Sequence, residues 1–211
     1  MKISRLLTTS FLALTIAAQC SAPPEEQVME TFQTYKSAIL DKNGELAYEQ
    51  VDANTRKRYA RTLDHALNLS AVKTRELPIV DMMEVLMARH MIEPETLQAM
   101  DGKGFFVHAV NEGWIDEQGV RGLEIEIQSV EGTKATTHVK KGEITAPIGF
   151  EFNLEDEKWK IDLTSILGMA EKQFQGIIDQ SGMSTEELMF AVLMELSGQQ
   201  PTATIWEPLN Q

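Results

Sequence analysis

Residues 148–163 read IGFEFNLEDEKWKIDL, and apolar residues occupy every second position on both sides of an acidic tripeptide at 155–157. Side chains of a β-strand point alternately to opposite faces of a sheet, so each half of the stretch predicts a strand with one buried face. The short polar link between the halves predicts an antiparallel hairpin formed by segments 147–154 and 158–163.

The same alternation occurs upstream of this hairpin. The segment LEIEIQ at 123–128 alternates strictly, and 133–141 is β-rich and follows the turn signal Glu131-Gly132. We therefore predict a four-stranded antiparallel meander at 122–130, 133–141, 147–154 and 158–163, with one apolar face and one solvent-exposed face. The residues predicted on the covered face are Leu123, Ile125, Phe150, Phe152, Trp159 and Ile161.

Helical periodicity precedes and follows the predicted sheet. Val28, Phe32, Tyr35 and Ile39 are spaced by four, three and four residues, which predicts a helix over 25–40. Further helices are predicted at 45–51, 54–69, 78–91, 94–100, 105–114, 165–179 and 185–197, with 105–114 also compatible with a strand. The 78–91 helix is apolar on most of its surface, so we expect it to be covered. The predicted class is α+β, with helices on one face of the sheet and additional C-terminal helices.

The N-terminal segment has the pattern of a secretion signal. Lys2 and Arg5 precede an apolar run at 6–18 that is too short to cross a bilayer as a stable helix. Cys20, the single cysteine of the chain, ends this segment. Ala17-Ala18-Gln19-Cys20 resembles the bacterial lipoprotein signal, which implies that Cys20 is acylated. The alternative is an ordinary secretory signal that is cut near Ala18 or Ala22 and releases a soluble periplasmic protein.

The predicted organisation follows from these segments. We predict a signal at 1–20, a tether at 21–24, a single domain at 25–198 and a loose tail at 199–211. Ser21 resembles the residue that follows the cysteine of outer-membrane lipoproteins, so we expect a cell-envelope protein anchored in the outer membrane and facing the periplasm. The net charge of −13 disfavours binding to nucleic acid.

The order of elements resembles the nuclear transport factor two-like family of α+β cones. The resemblance rests on Phe32 and Tyr35, on Leu46-Ala47-Tyr48 and on the last strand, Trp159–Leu163, and it covers residues 25–163. It implies a curved sheet that wraps helices around an internal pocket. The family includes dehydratases, an isomerase and non-catalytic binding proteins, so the resemblance alone does not determine the function.

The sequence contains no catalytic or metal-binding motif. Its histidines, His65, His90, His108 and His138, are scattered and lack partners at metal-ligand spacing, so we predict no metal and no cofactor. The methionine-rich helix 78–91 suggests a soft metal such as Cu(I), but flexible core packing is the commoner use of methionine.

We therefore expect a non-catalytic lipid-anchored protein that binds a partner protein or a small apolar ligand. The residues predicted for its pocket or partner surface are Tyr35, Met83, Met87, Phe150 and Trp159. The alternative is an enzyme with ketosteroid-isomerase-like chemistry, for which Tyr35 and Asp162 are the candidate pair. Strand alternation places Asp162 opposite Trp159 and Ile161, which predicts a solvated carboxylate instead. A deep apolar cavity with a buried acid or histidine beside a tyrosine would favour the enzyme.

Overall fold

The structure is a computed structural model that describes residues 22–114, 120–146 and 148–210. The predicted signal and Cys20 lie outside the described residues. In the described part of the chain, no helix is both long enough and apolar enough to cross a membrane.

Helices form the first half of the described chain, as predicted. They are α1 (Pro24–Leu40), α2 (Gly44–Gln50), α3 (Ala53–Asn68), α4 (Ala71–Arg75), α5 (Ile79–Met91), α6 (Pro94–Gln98) and α7 (Gly102–Asn111). The helical interpretation of 105–114 is confirmed within α7, whereas the short helix α4 was not predicted.

The strands and the remaining helices follow. They are β1 (Leu123–Glu131), β2 (Lys134–Lys141), β3 (Ile144–Thr145), β4 (Glu151–Glu155), β5 (Lys158–Asp162), α8 (Leu167–Ser181) and α9 (Thr185–Ser197). Short 3₁₀ helices lie at Leu163–Ile166 and Ala203–Trp206. The structure therefore confirms the α+β class with additional C-terminal helices.

The sheet is an antiparallel meander with the order β1-β2-β4-β5, and the unpredicted strand β3 pairs with β2. The predicted covered face is confirmed, because five of its members are buried and Leu123 packs against them while partly buried. Helices α1 and α2 pack against this face, and α7 packs on α2. The apolar residues that they contribute include Val28, Phe32, Ala47, Phe106 and Val110.

The third predicted strand begins later than expected. It was predicted from residue 147, whereas β4 begins at Glu151. The preceding residues still bond to β2, since Val139 N donates to Ile148 O at 3.1 Å and Thr137 N donates to Phe150 O at 3.1 Å. Gly149 lies so close to β2 that a Cβ there would overlap the backbone of Thr137. Glycine permits this close approach of two backbones.

The C-terminal tail is not loose, contrary to the prediction for 199–211. Pro201, Ile205 and Trp206 are buried, and the Trp206 side chain packs with α5 and α9 in an apolar cluster. Arg75 lies over the Trp206 ring at 4.2 Å from its centroid, and Asn210 N donates to Leu67 O at 2.9 Å. The tail lacks periodicity because single side chains, rather than a helical face, make these contacts.

Candidate functional site

The five residues predicted for a pocket or partner surface lie in two separate parts of the core. Tyr35, Phe150 and Trp159 belong to the cluster under the sheet, whereas Met83 and Met87 pack with the C-terminal helices. All five are buried, so the structure does not assemble them into one exposed surface. Burial raises the pKa of Tyr35, which keeps its hydroxyl protonated.

The prediction that Asp162 is solvated was wrong, because only 6% of this residue is exposed. Strand β5 ends at Asp162, where Oδ1 accepts hydrogen bonds from Thr164 N at 2.8 Å and Thr164 Oγ1 at 2.6 Å. Oδ2 accepts from Asn54 Nδ2 at 2.9 Å. Alternation did not predict this burial, since Asp162 caps the following 3₁₀ helix and bonds to α3. The carboxylate thus has a structural role in joining β5 to α3.

A histidine–serine pair lies in a surface cleft of about 470 Å³ beside the ends of α5 and α9. His90 Nε2 is 2.9 Å from Ser197 Oγ. The serine hydroxyl is within hydrogen-bond distance of Leu193 O at 2.7 Å, and with its proton in that bond its oxygen accepts from His90. A nucleophilic serine needs the reverse arrangement, with the imidazole as proton acceptor. This pair therefore secures the end of α9.

An apolar cavity of about 130 Å³ lies between α3, α5 and α7 and is the best candidate for a binding site. Its lining residues are Tyr59, Glu84, Met87, Phe105, Ala109 and Trp114. The Phe105 ring lies 5.9 Å from Trp114 and 6.0 Å from Tyr59, measured between ring centroids. Three aromatic rings and one carboxylate thus converge on a space of the size of a single small ring.

Helical spacing brings the lining residues together. Glu84 and Met87 share one face of α5 at a spacing of three, and Phe105 and Ala109 share one face of α7 at a spacing of four. Each pair therefore points in one direction from its own helix. The cavity forms where these two faces meet the aromatic ring that α3 contributes.

The end of α7 positions Trp114. Gly113 adopts a left-handed conformation with φ of 72°, and Trp114 N donates back to Ala109 O at 3.0 Å. Gly113 N also donates to Val110 O at 3.0 Å, which completes a Schellman-type cap. The cap turns the chain so that the indole ring lies against Phe105 at the cavity.

Glu84 joins the cavity wall to a charged network behind it. Arg58 is 4% exposed and contacts two partly buried carboxylates, Asp81 at 21% and Glu84 at 27%. Arg58 Nη2 lies 2.8 Å from Glu84 Oε2, and Thr62 Oγ1 donates to the same oxygen at 3.3 Å. One guanidinium thus faces two carboxylates, so the three groups carry one excess negative charge when all are ionised.

Burial perturbs the acid groups of the cavity. It raises the pKa of Glu84, and the Asp81 charge adds to this effect, while Arg58 and Thr62 oppose it. Burial also raises the pKa of Tyr59, and the negative charge of Glu84 contributes further. Tyr59 therefore keeps its proton at neutral pH, and its hydroxyl remains a hydrogen-bond donor.

The raised pKa of Glu84 predicts a pH-dependent contribution to stability. Between the ordinary pKa of 4.5 and the raised value, the folded protein holds a proton that the unfolded chain has released. The contribution of Glu84 to the free energy of unfolding should therefore fall as pH rises from 4.5. Urea unfolding from pH 4 to pH 8 measures this effect. The difference in the free energy of unfolding between the wild type and Glu84→Gln should decrease as the pH rises. A stability difference that grows with pH would contradict the raised pKa of Glu84. Glu95→Gln is the control for the loss of an exposed carboxylate.

Of the residues predicted for a pocket, Met87 lines this cavity, whereas sequence reasoning missed its other lining residues, although a signal was present. Glu84 interrupts the apolar surface of α5, and a carboxylate at such a position needs a partner. The partner, Arg58, lies on a different helix, and periodicity does not report contacts between helices. Within the part of the chain that the structure describes, no group of three histidine, cysteine or carboxylate side chains could hold a metal ion.

Comparisons of the chain with family models, with curated proteins and with solved structures gave no match.

Proposed function

We propose that this chain is a lipid-anchored protein of the bacterial cell envelope that binds a small, mainly apolar ligand without converting it. The observation that carries the ligand-binding part is the cavity between α3, α5 and α7, which is lined by aromatic and aliphatic side chains with a single carboxylate. Small-molecule sites are typically apolar concavities with a few placed polar groups, and this cavity has that character.

The size of the cavity limits the ligand. Its volume of about 130 Å³ is close to that of an engineered apolar protein cavity of about 150 Å³ that binds benzene. A ligand of one small ring or a branched group of similar volume fits, whereas a steroid-sized molecule does not. Glu84 and Tyr59 are the polar groups that would orient the ligand.

The lipoprotein-like N-terminal segment supports the envelope part of the proposal. Cys20 ends a segment that resembles a lipoprotein signal, and α1 begins at Pro24. The link between them has three residues and spans about 10 Å when extended. An acylated Cys20 would therefore hold the domain close to the membrane surface, in reach of small molecules in the envelope.

Benzene is a suitable probe of the cavity, and Ala109→Leu is a suitable variant to fill it. We expect saturating benzene to raise the unfolding temperature of the wild type, because a ligand that binds only the folded state stabilises it. The Ala109→Leu protein should show no such shift. Ala191→Leu, at an exposed position on α9, is the matched control and should respond like the wild type. No shift in the wild type, or an equal shift in Ala109→Leu, would overturn the proposal.

Proton-transfer catalysis is the second candidate function. One observation favours it: the carboxyl group of Glu84 has a raised pKa and lies beside Tyr59 in an apolar cavity. The ion pair with Arg58 opposes it, because a neighbouring positive charge makes the carboxylate a weaker base. Turnover of a small enone, measured by NMR and abolished in Glu84→Gln, would replace the binding proposal with this one.

A further inference from the structure

We propose that the ligand of the cavity is a small alkylammonium cation, held by the rings of Tyr59, Phe105 and Trp114 and by the carboxylate of Glu84. This inference rests on the proposed function, because it names the chemical class that the same cavity binds.

The aromatic rings supply the first part of the recognition. An alkylammonium group is attracted to the faces of aromatic rings within about 6 Å, and tryptophan gives the strongest attraction. The rings of Tyr59, Phe105 and Trp114 are neighbours, with centroids about 6 Å apart in each adjacent pair. A cation in the cavity that they line would lie beside more than one ring, while its methyl groups meet Met87 and Ala109.

The excess negative charge supplies the second part. Arg58 faces two carboxylates, Asp81 and Glu84, so this group carries one excess negative charge when all three are ionised, and Glu84 is its member in the cavity wall. Arg58 and Thr62 both contact the same oxygen of Glu84, Oε2. Oε1 is thus the oxygen that remains for a ligand. A neutral ligand leaves the excess charge without a counter-ion, whereas an alkylammonium ion compensates it.

The surroundings of the cavity favour the approach of a cation. Trp114 also lines a neighbouring surface cleft of about 310 Å³, together with Glu93, His108 and Glu112. These two glutamates are exposed, and the chain as a whole has a net charge of −13. A negative potential around a concavity raises the local concentration of cations and the rate of their association.

Choline and its neutral carbon isostere 3,3-dimethyl-1-butanol provide a matched pair of probes, because both carry three methyl groups on a central atom. We expect isothermal titration to show that the wild type binds choline at least about tenfold more tightly than the isostere. Glu84→Gln should reduce this preference to the part that the aromatic rings supply, whereas Glu95→Gln, which removes an exposed carboxylate from α6, should retain it in full.

Trp114→Leu provides a second variant in case Glu84→Gln does not fold. It removes one ring and leaves the charged network intact, so we expect weaker binding of choline and a smaller change for the isostere. Equal affinity of the wild type for the two probes would overturn the inference and leave the proposed function standing. Absence of choline binding would also overturn it, and the benzene experiment then decides the proposed function separately.

Discussion

Replacing Arg89 with methionine should lower the free energy of unfolding by about 3–5 kcal/mol, which is a large share of the stability of a domain of this size. Arg89 is buried and lies on α5. Its guanidinium donates to the main-chain carbonyl oxygens of five residues and to Thr74 Oγ1. The five carbonyl groups belong to His65, Ala66, Leu69, Ile205 and Trp206.

The loss is large because the substitution removes all of these donors at once from a buried site. Burial lowers the pKa of Arg89 to about 10, so the group is still charged at neutral pH. The charge faces the C-terminal end of α3, where the helix dipole is negative and the last carbonyl groups lack the full set of intrahelical donors. Methionine fills much of the volume but donates no hydrogen bond, so several buried carbonyl groups lose their partner.

The same substitution should release the C-terminal segment. Arg89 Nη1 donates to Trp206 O at 2.7 Å, and this bond ties the last 3₁₀ helix to α5. Near-ultraviolet circular dichroism and urea unfolding measure the two effects. Arg61→Met, at an exposed position on α3, is the control and should change the stability by less than about 0.5 kcal/mol. A loss for Arg89→Met no larger than that of the control would contradict this role.

Replacing Cys20 with serine should abolish lipid labelling and remove the protein from the membrane fraction. Each methylene of an acyl chain contributes about 0.8 kcal/mol to membrane binding, and a lipoprotein cysteine carries at least two chains. Serine cannot form the thioether, so the whole of this contribution disappears. The chain has one cysteine, so thiol labelling by a palmitate analogue can occur only at Cys20.

Ser21→Ala is the matched control, because it changes the neighbouring residue and leaves the thiol in place. We expect this variant to be labelled and to partition into the detergent phase like the wild type. Equal labelling of Cys20→Ser and the wild type would contradict the anchor. A soluble, unlabelled wild type would instead favour the alternative of an ordinary secretory signal.

The sheet could be predicted because its signal is local. Period-two alternation at 123–128 and 148–163 reports the buried face directly, since a register slip of one residue would expose the whole apolar set. The observed pairing of Phe152 with Ile161 joins two residues from the predicted covered face. The capping box of Ser184 and Glu187 at the start of α9 is equally local, because its two members are three residues apart.

The features that could not be predicted depend on contacts between distant segments. Asp162 is buried through Asn54, which lies 108 positions away, and Trp206 is buried through Arg89, which lies 117 positions away. The candidate cavity is of the same kind, because its lining comes from three helices and the turn after α7. Periodicity identifies the face of each helix but not which faces meet.

Methyl NMR of methionine is the most direct test of the central claim that the cavity binds a small ligand. Met87 lines the cavity, whereas Met183 and Met194 are exposed elsewhere. We predict that benzene shifts the Met87 methyl resonance of the wild type in a saturable way and leaves the other two resonances in place, with no Met87 shift in Ala109→Leu. A Met87 resonance that stays unchanged at saturating benzene, or moves equally in Ala109→Leu, would contradict the claim.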